Sequence, residues 1–209
     1  MKTTESTAIT ITDSDVKAWC EITEKLGFPV SLMPKEMFHT WVKCLPNNPV
    51  ELCILRRGNY GKFMVGLAHR DDQEFPDCYH TPGSVILPGE TLHEKIGKLL
   101  KREMDGVKVT EPQLIGIYSH RGPDTTRQHE DCFLFSVKLD QEWTEELEAS
   151  TKCKFFYLDQ IPENTLSTHK EYIEMLKLWL EGQERQSRAI AAIGRMPDGT
   201  GVVLQPARS

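Results

Sequence analysis

Apolar positions along this chain follow two rhythms, a helical period and short unbroken runs, and clusters rich in Pro, Gly and Asn separate them. The segment that organises the rest is Thr81 to Val107. It opens with a Pro82-Gly83 turn, passes through a short apolar piece to a Pro88-Gly89 turn and Glu90, and then predicts a helix ending at Asp105-Gly106. Leu92, Ile96, Leu99 and Glu103 share one stripe of that helix, so a carboxylate stands in line with three apolar side chains. A buried charge costs several kcal/mol unless it is paired. Either Glu103 bends out to water near the helix end, or something neutralises it inside.

Before this segment, Asp13 or Ser14 caps a predicted helix with Val16, Trp19, Cys20, Thr23 and Leu26 on one face and Gly27 as its stop. Pro34 suits the first turn of a second helix, Pro34 to Val42. Residues 1–45 thus form an N-terminal helical extension, read either as a helix pair packed on the core or as a homodimer contact. After the turn cluster Pro46-Asn47-Asn48-Pro49, Val50 to Leu55 and Lys62 to His69 predict a hairpin of strands, followed by an acidic loop from Asp71 to Asp77.

Downstream, Gln113 to Ser119 and Cys132 to Leu139 predict two more strands, joined by a polar stretch from His120 to Asp131. Such a connection either carries function or lies solvated as a hairpin tip. Phe155 to Leu158 predicts a further strand, and Thr168 to Leu180 an amphipathic helix with Tyr172, Ile173, Leu176 and Leu180 inward. The central domain spans 46–182, and 183–209 reads as a mobile tail or a strap on a partner subunit. Strands alternating with helices place the chain in the α/β class, with a sheet layered between helices.

Composition narrows the function classes. The 209 residues suffice for one domain with extensions, and 27% charged against 39% hydrophobic residues is the balance of a soluble globular protein. A net charge of -6 argues against duplex nucleic acid as partner, while leaving room for a nucleotide pocket. Six cysteines stand singly with no CxxC pair, which disfavours a zinc ribbon and reads as reduced, half-buried filler. No run of apolar residues is long enough to span a membrane, and the N-terminus lacks the apolar core of a signal peptide, so a cytoplasmic location is expected.

The Thr81 to Val107 segment resembles the Nudix box, in which a Gly is followed by a Glu and then by an Arg-Glu and a Glu-Glu pair across a loop, a helix and a loop. Glu90 matches the first Glu, and Ser84 stands where the box begins with Gly. Lys98 falls on the Arg, Leu99 on the next Glu, and Arg102-Glu103 on the Glu-Glu pair, with one extra residue before Gly106. Two of the three carboxylates that usually gather divalent cations are therefore missing, and one of those positions carries a cation of its own. Lys98-Leu99 with a single late Glu is similar to the GDP-mannose mannosyl hydrolase branch, although Thr151 and Lys152 stand where that branch has its catalytic Gln and His.

The resemblance implies a Nudix fold, an α/β/α sandwich around a mixed sheet, over roughly Val50 to Leu180. It implies Mg²⁺ or Mn²⁺ held by the Glu103 carboxylate and the Gly83 carbonyl, with Glu90 organising the loop and Lys98 replacing the box Arg as partner of Glu90 or Glu94. His129 is the candidate general base, and Arg70, His120, Arg127 and Glu130 are candidate substrate contacts. The expected activity is Mg²⁺-dependent hydrolysis of a nucleoside diphosphate linked to another group, such as a nucleotide sugar. The competing expectation is a catalytically silent Nudix-fold protein that binds a nucleotide or scaffolds a complex. Removal of RNA caps, known in other members, fits the acidic balance poorly.

Overall fold

The computed structural model describes residues 12–26, 34, 36–37, 40, 46–72, 75–121 and 129–193. Its centre is β1 (Pro49–Arg57), an apolar strand with neighbours along both edges. One edge pairs antiparallel with β2 (Phe63–Arg70) through Ile54 to Arg57 and with β4 (Gly83–Val85) through Pro49 to Glu51. The other edge pairs parallel with β6 (His129–Lys138), which in turn pairs antiparallel with β5 (Gln113–Arg121). Short β3 (Cys78–His80) and β7 (Cys153–Tyr157) both pair antiparallel with β2. One parallel pairing among antiparallel ones makes the sheet mixed, as expected.

The pleat of β1 sends alternate side chains to opposite faces. Val50, Leu52 and Ile54 pack with Ile96, Leu99 and Met104 of the helical segment α2 (Leu92–Glu103) and its cap. Cys53 and Leu55 pack instead with Tyr172, Ile173, Leu176 and Leu180 of a long C-terminal helix. Helix, sheet and helix therefore form three layers, the predicted α/β/α sandwich.

Local chemistry explains α2. Thr91 accepts from the Glu94 N–H while the Glu94 carboxylate accepts from the Thr91 N–H, a capping box that satisfies two donors of the first turn. The helix stops where the Met104 N–H donates to the Leu100 carbonyl and Gly106 adopts a left-handed φ of 77°, a conformation open to glycine. Of the predicted stripe, Ile96, Leu99 and Glu103 are buried and Leu92 lies at the surface.

Some elements depart from expectation. A short helix, α3 (Glu145–Ser150), capped by the Thr144 hydroxyl, precedes β7 and was not anticipated. The last helix, α4 (Ser167–Ile193), runs well past Gly182, where a tail was expected to begin; its polar residues continue the helix instead of ending it. The remaining residues, 194–209, lie outside those described. Helix α1 (Asp13–Leu26) forms as predicted, but its described side chains, Val16 and Trp19 among them, are exposed. They therefore do not pack on the core as one reading required. The second predicted helix, Pro34 to Val42, falls mostly outside the described residues. Cys53, Cys78, Cys132 and Cys153 are buried free thiols; burial pushes Cys153 up to about 12, so it stays protonated. Among the described residues no helix is long and apolar enough to cross a membrane.

Candidate functional site

The site is organised by the turn Thr81-Pro82-Gly83, which enters β4 beside the N-terminal half of β1. On the α4 side, Glu51 of β1 presses against this turn so closely that a Cβ at residue 83 would lie 1.8 Å from its Oε1. Glycine is required there by close approach. The Thr81 hydroxyl donates to Glu51 Oε2 at 2.6 Å and lies 2.7 Å from His169 Nδ1 in the first turn of α4. Glu51, Thr81 and His169 thus tie the turn to the last helix. The Leu52 N–H donates to the Pro82 carbonyl at 2.8 Å and completes the tether.

On the α2 side of the turn stands Glu103. It is 7% exposed, so the apolar stripe does carry its carboxylate inside. The partner is Arg102, whose Nε–H donates to Glu103 Oε1 and whose Nη2 donates to the Gly83 carbonyl at 3.1 Å. Both donors lie along one edge of the planar guanidinium. One fixed cation therefore holds together the two oxygens that the Nudix resemblance assigned to a metal. His80 lies within electrostatic reach of this group. Burial lowers the His80 pKa; its contact with the Thr81 carbonyl and the nearby Glu103 charge oppose that, while Arg70 and Arg102 add to it, and the net shift is downward.

Glu90 and Lys98 form a separate group at the other end of α2. Glu90 Oε2 accepts from the Leu87 N–H at 2.9 Å and from Lys95 at 2.5 Å, while Oε1 accepts from Lys98 at 2.6 Å. Lys98 therefore pairs with Glu90 and leaves Glu94 to the cap. Burial alone would raise the Glu90 pKa, but the bonds from Lys95, Lys98 and the Leu87 N–H outweigh it and hold the carboxyl at about 2. A depressed carboxylate stabilises the fold at pH above its unfolded value and loses that contribution as pH falls toward the folded one. Discounted for the exposure of Lys98, the contribution is about 2 kcal/mol. Glu90→Gln should lower the thermal midpoint at pH 7, and the gap from wild type should narrow steadily in melts between pH 4.5 and pH 2. A gap that stays constant over that window would show that the ion triad adds nothing.

The remaining candidates are placed elsewhere. Glu130 is buried on β6 with Cys132 and Leu134, on the α4 face of the sheet, and so lies opposite the face that carries Glu103. His120 pairs with it across β5 and stacks on Tyr118, with ring centroids 6.3 Å apart. His129 Nε2 lies 3.5 Å from Asp131. Arg70 is engaged by Asp72 and lies over the Phe75 ring at 4.2 Å. Arg127 falls outside the described residues. Sequence reasoning missed Glu51, Lys95, Thr81 and His169; only Glu51, a charge inside an otherwise apolar strand, left a visible signal.

No family model matches the chain, and no curated protein matches it in sequence. Solved structures do resemble it. The NUDIX domain of Shewanella oneidensis NrtR, in a cocrystal with ADP ribose, superposes with a TM-score of 0.52 at 16% identity, covering 81% of this chain and 99% of that one. The MutT NUDIX hydrolase from Burkholderia pseudomallei gives 0.50 at 16% identity, over 63% of this chain and 98% of that one. The C-terminal domain of mouse MUTYH, in a complex with human PCNA, gives 0.50 at 18% identity, over 63% and 87%. At such identities the likeness is one of architecture, and on that architecture this chain has the Nudix fold.

Proposed function

We propose that this protein binds a nucleoside diphosphate derivative beside the Gly83 turn and does not hydrolyse it through a divalent cation. The observation that carries this reading is the Arg102 guanidinium lying across both the Glu103 carboxylate and the Gly83 carbonyl. Mg²⁺ and Mn²⁺ need several oxygen ligands. Here the two expected ones already accept hydrogen bonds from a positive side chain, and Leu99 leaves α2 without the further carboxylate. Among the described residues no three His, Cys, Asp or Glu side chains come together as a metal set. The residues present do not fit a resident divalent ion.

A phosphate suits the same place. Guanidinium groups bind phosphate oxygens through paired N–H donors, and Arg102, with its side chain 48% exposed, is accessible to an anion. The Mg²⁺-dependent hydrolase reading keeps one point in its favour, the burial of Glu103. Its nucleotide-sugar version rests on Lys98, Leu99 and Glu103, yet Lys98 is occupied by Glu90 and Leu99 by the core.

The two readings separate in one experiment. ADP-ribose, the ligand in the NrtR cocrystal, and GDP-mannose are titrated calorimetrically with EDTA or with Mg²⁺, and turnover is followed by phosphate-sensitive chromatography. The expected result is saturable binding of one of them in EDTA and no turnover with Mg²⁺ or Mn²⁺. Metal-dependent cleavage that disappears in Glu103→Gln would overturn the proposal.

A further inference from the structure

The sheet carries a second opening at the end away from the Gly83 turn. Gly83 pairs with Glu51 near the start of β1, whereas the β1–β2 hairpin turns after Arg57, roughly 20 Å along the strand. There the hairpin tip, the chain leaving β7 and the middle of α4 enclose an open cavity of about 540 Å³, a size that suits a small organic molecule. Phe63, Leu158 and Leu180 form its apolar wall, and Tyr60 stands at its rim. The tip is braced from several sides: Arg57 Nη1 donates to the Gly61 carbonyl at 2.8 Å, the Gly58 N–H to the Lys62 carbonyl at 2.8 Å, and the Asn59 N–H to the Tyr157 hydroxyl at 3.2 Å. Held this way, Tyr60 sits at φ 59° and ψ 22°, in the left-handed region that residues other than glycine rarely take, and it is fully exposed. Strain with no burial in return points to a contact made with something else.

Charge narrows what that something is. Two bases and three acids line the cavity, and both bases already face an acid: Lys62 lies 3.5 Å from Asp159, and Lys177 lies 2.6 Å from Glu174. Glu181 and Glu184 add two carboxylates one turn apart on α4, with Arg185 4.0 Å from Glu181. Arg57 and Lys138 approach the Phe63 ring, 4.5 and 5.7 Å from its centre, from outside the lining. We infer that this cavity binds a small aromatic cation, its ring against Tyr60 and Phe63 over Leu158 and Leu180, and its amine beside Glu181 and Glu184. Aromatic rings attract a cation at their faces and another ring through offset or edge contacts, so one wall serves both parts of the ligand. An anion of the same size would meet bases that are already neutralised. The site is separate from the Arg102 group and requires no phosphate on its ligand.

The full chain is titrated with tryptamine and with indole-3-acetate, which share a ring and differ in charge, and amide shifts are followed by ¹H–¹⁵N NMR for wild type, Y60G and E181Q/E184Q. Tryptamine is expected to saturate one site and to shift the amides of residues 60–63, 158–159 and 180–184, with indole-3-acetate at least tenfold weaker. Y60G is expected to weaken tryptamine at least tenfold while its thermal midpoint stays level or rises, because glycine takes the left-handed conformation without strain. E181Q/E184Q is expected to weaken tryptamine at least tenfold and to close the gap to indole-3-acetate. The inference fails if tryptamine does not saturate, if it shifts amides elsewhere instead, if the two ligands bind equally to wild type, or if either variant binds tryptamine as wild type does. ADP-ribose binding should be the same in Y60G as in wild type, so failure of the proposed function leaves this result untouched.

Discussion

Gly83→Ala is expected to destabilise the fold by about 3 kcal/mol, the upper range for forcing an extra carbon into a packed site. The new Cβ would meet Glu51 at 1.8 Å from Oε1 and 2.2 Å from Cδ, so one of the two must move. Glu51 cannot withdraw cheaply, because it is buried and accepts from the Thr81 hydroxyl. The turn cannot lift away either without breaking the β4 pairing and the Leu52 to Pro82 hydrogen bond. Combining Gly83→Ala with Glu51→Ala removes the colliding carboxylate. The double variant should therefore be more stable than the sum of the two single losses by about 1 kcal/mol or more in urea denaturation. Strict additivity would show that the turn and Glu51 do not press on each other.

The second large effect concerns an apparent repair of the eroded box. Leu99 stands where the Nudix box carries a glutamate, yet it is 1% exposed and packs among Val50, Leu52, Ile54 and Met104. Leu99→Ala should cost about 3 kcal/mol through lost burial and the cavity left behind. Leu99→Glu should cost more, about 4 kcal/mol or above, because it puts an unpaired charge into an apolar cluster that offers it no donor. Chemical denaturation at pH 7 gives the order, and part of the Leu99→Glu loss should return near pH 4, where the added carboxyl protonates. If Leu99→Glu proved no worse than Leu99→Ala, residue 99 would have access to solvent or to a cation that the packing denies it.

These results bear on what could be read before any coordinates. The helical stripe of Ile96, Leu99 and Glu103 was visible in the spacing, which left open whether its acid turned inward or out to water. The partner of that acid was not visible. Neighbouring residues on a helix do not face each other, so Arg102 beside Glu103 gives no periodic signal; contact needs the long Arg102 side chain to fold back over the turn. The strands β1, β2, β5 and β6 were legible as apolar runs, whereas β3 and β4 are three residues each and exist only because longer neighbours template them. Glu51 stood out as a lone acid among the apolar residues of its strand, but nothing in the spacing showed that it presses on the turn at Gly83. The long polar connection drew attention to His129 and Glu130, but which face of the sheet each of them takes is fixed by the register of β6 against β1, and that register cannot be read locally.

The parallel pairing of β1 with β6 also governs how the protein comes into being. Val50 finds its neighbour at Phe133, Ile54 at Val137. During synthesis the central strand emerges early and can join β2, while its opposite edge stays open until the chain past Lys138 has left the ribosome. A long loop must then close before those ladder bonds form, which slows the step. An unpaired apolar edge during that interval is a template for other chains, so the nascent polypeptide is most prone to aggregate midway through its own translation.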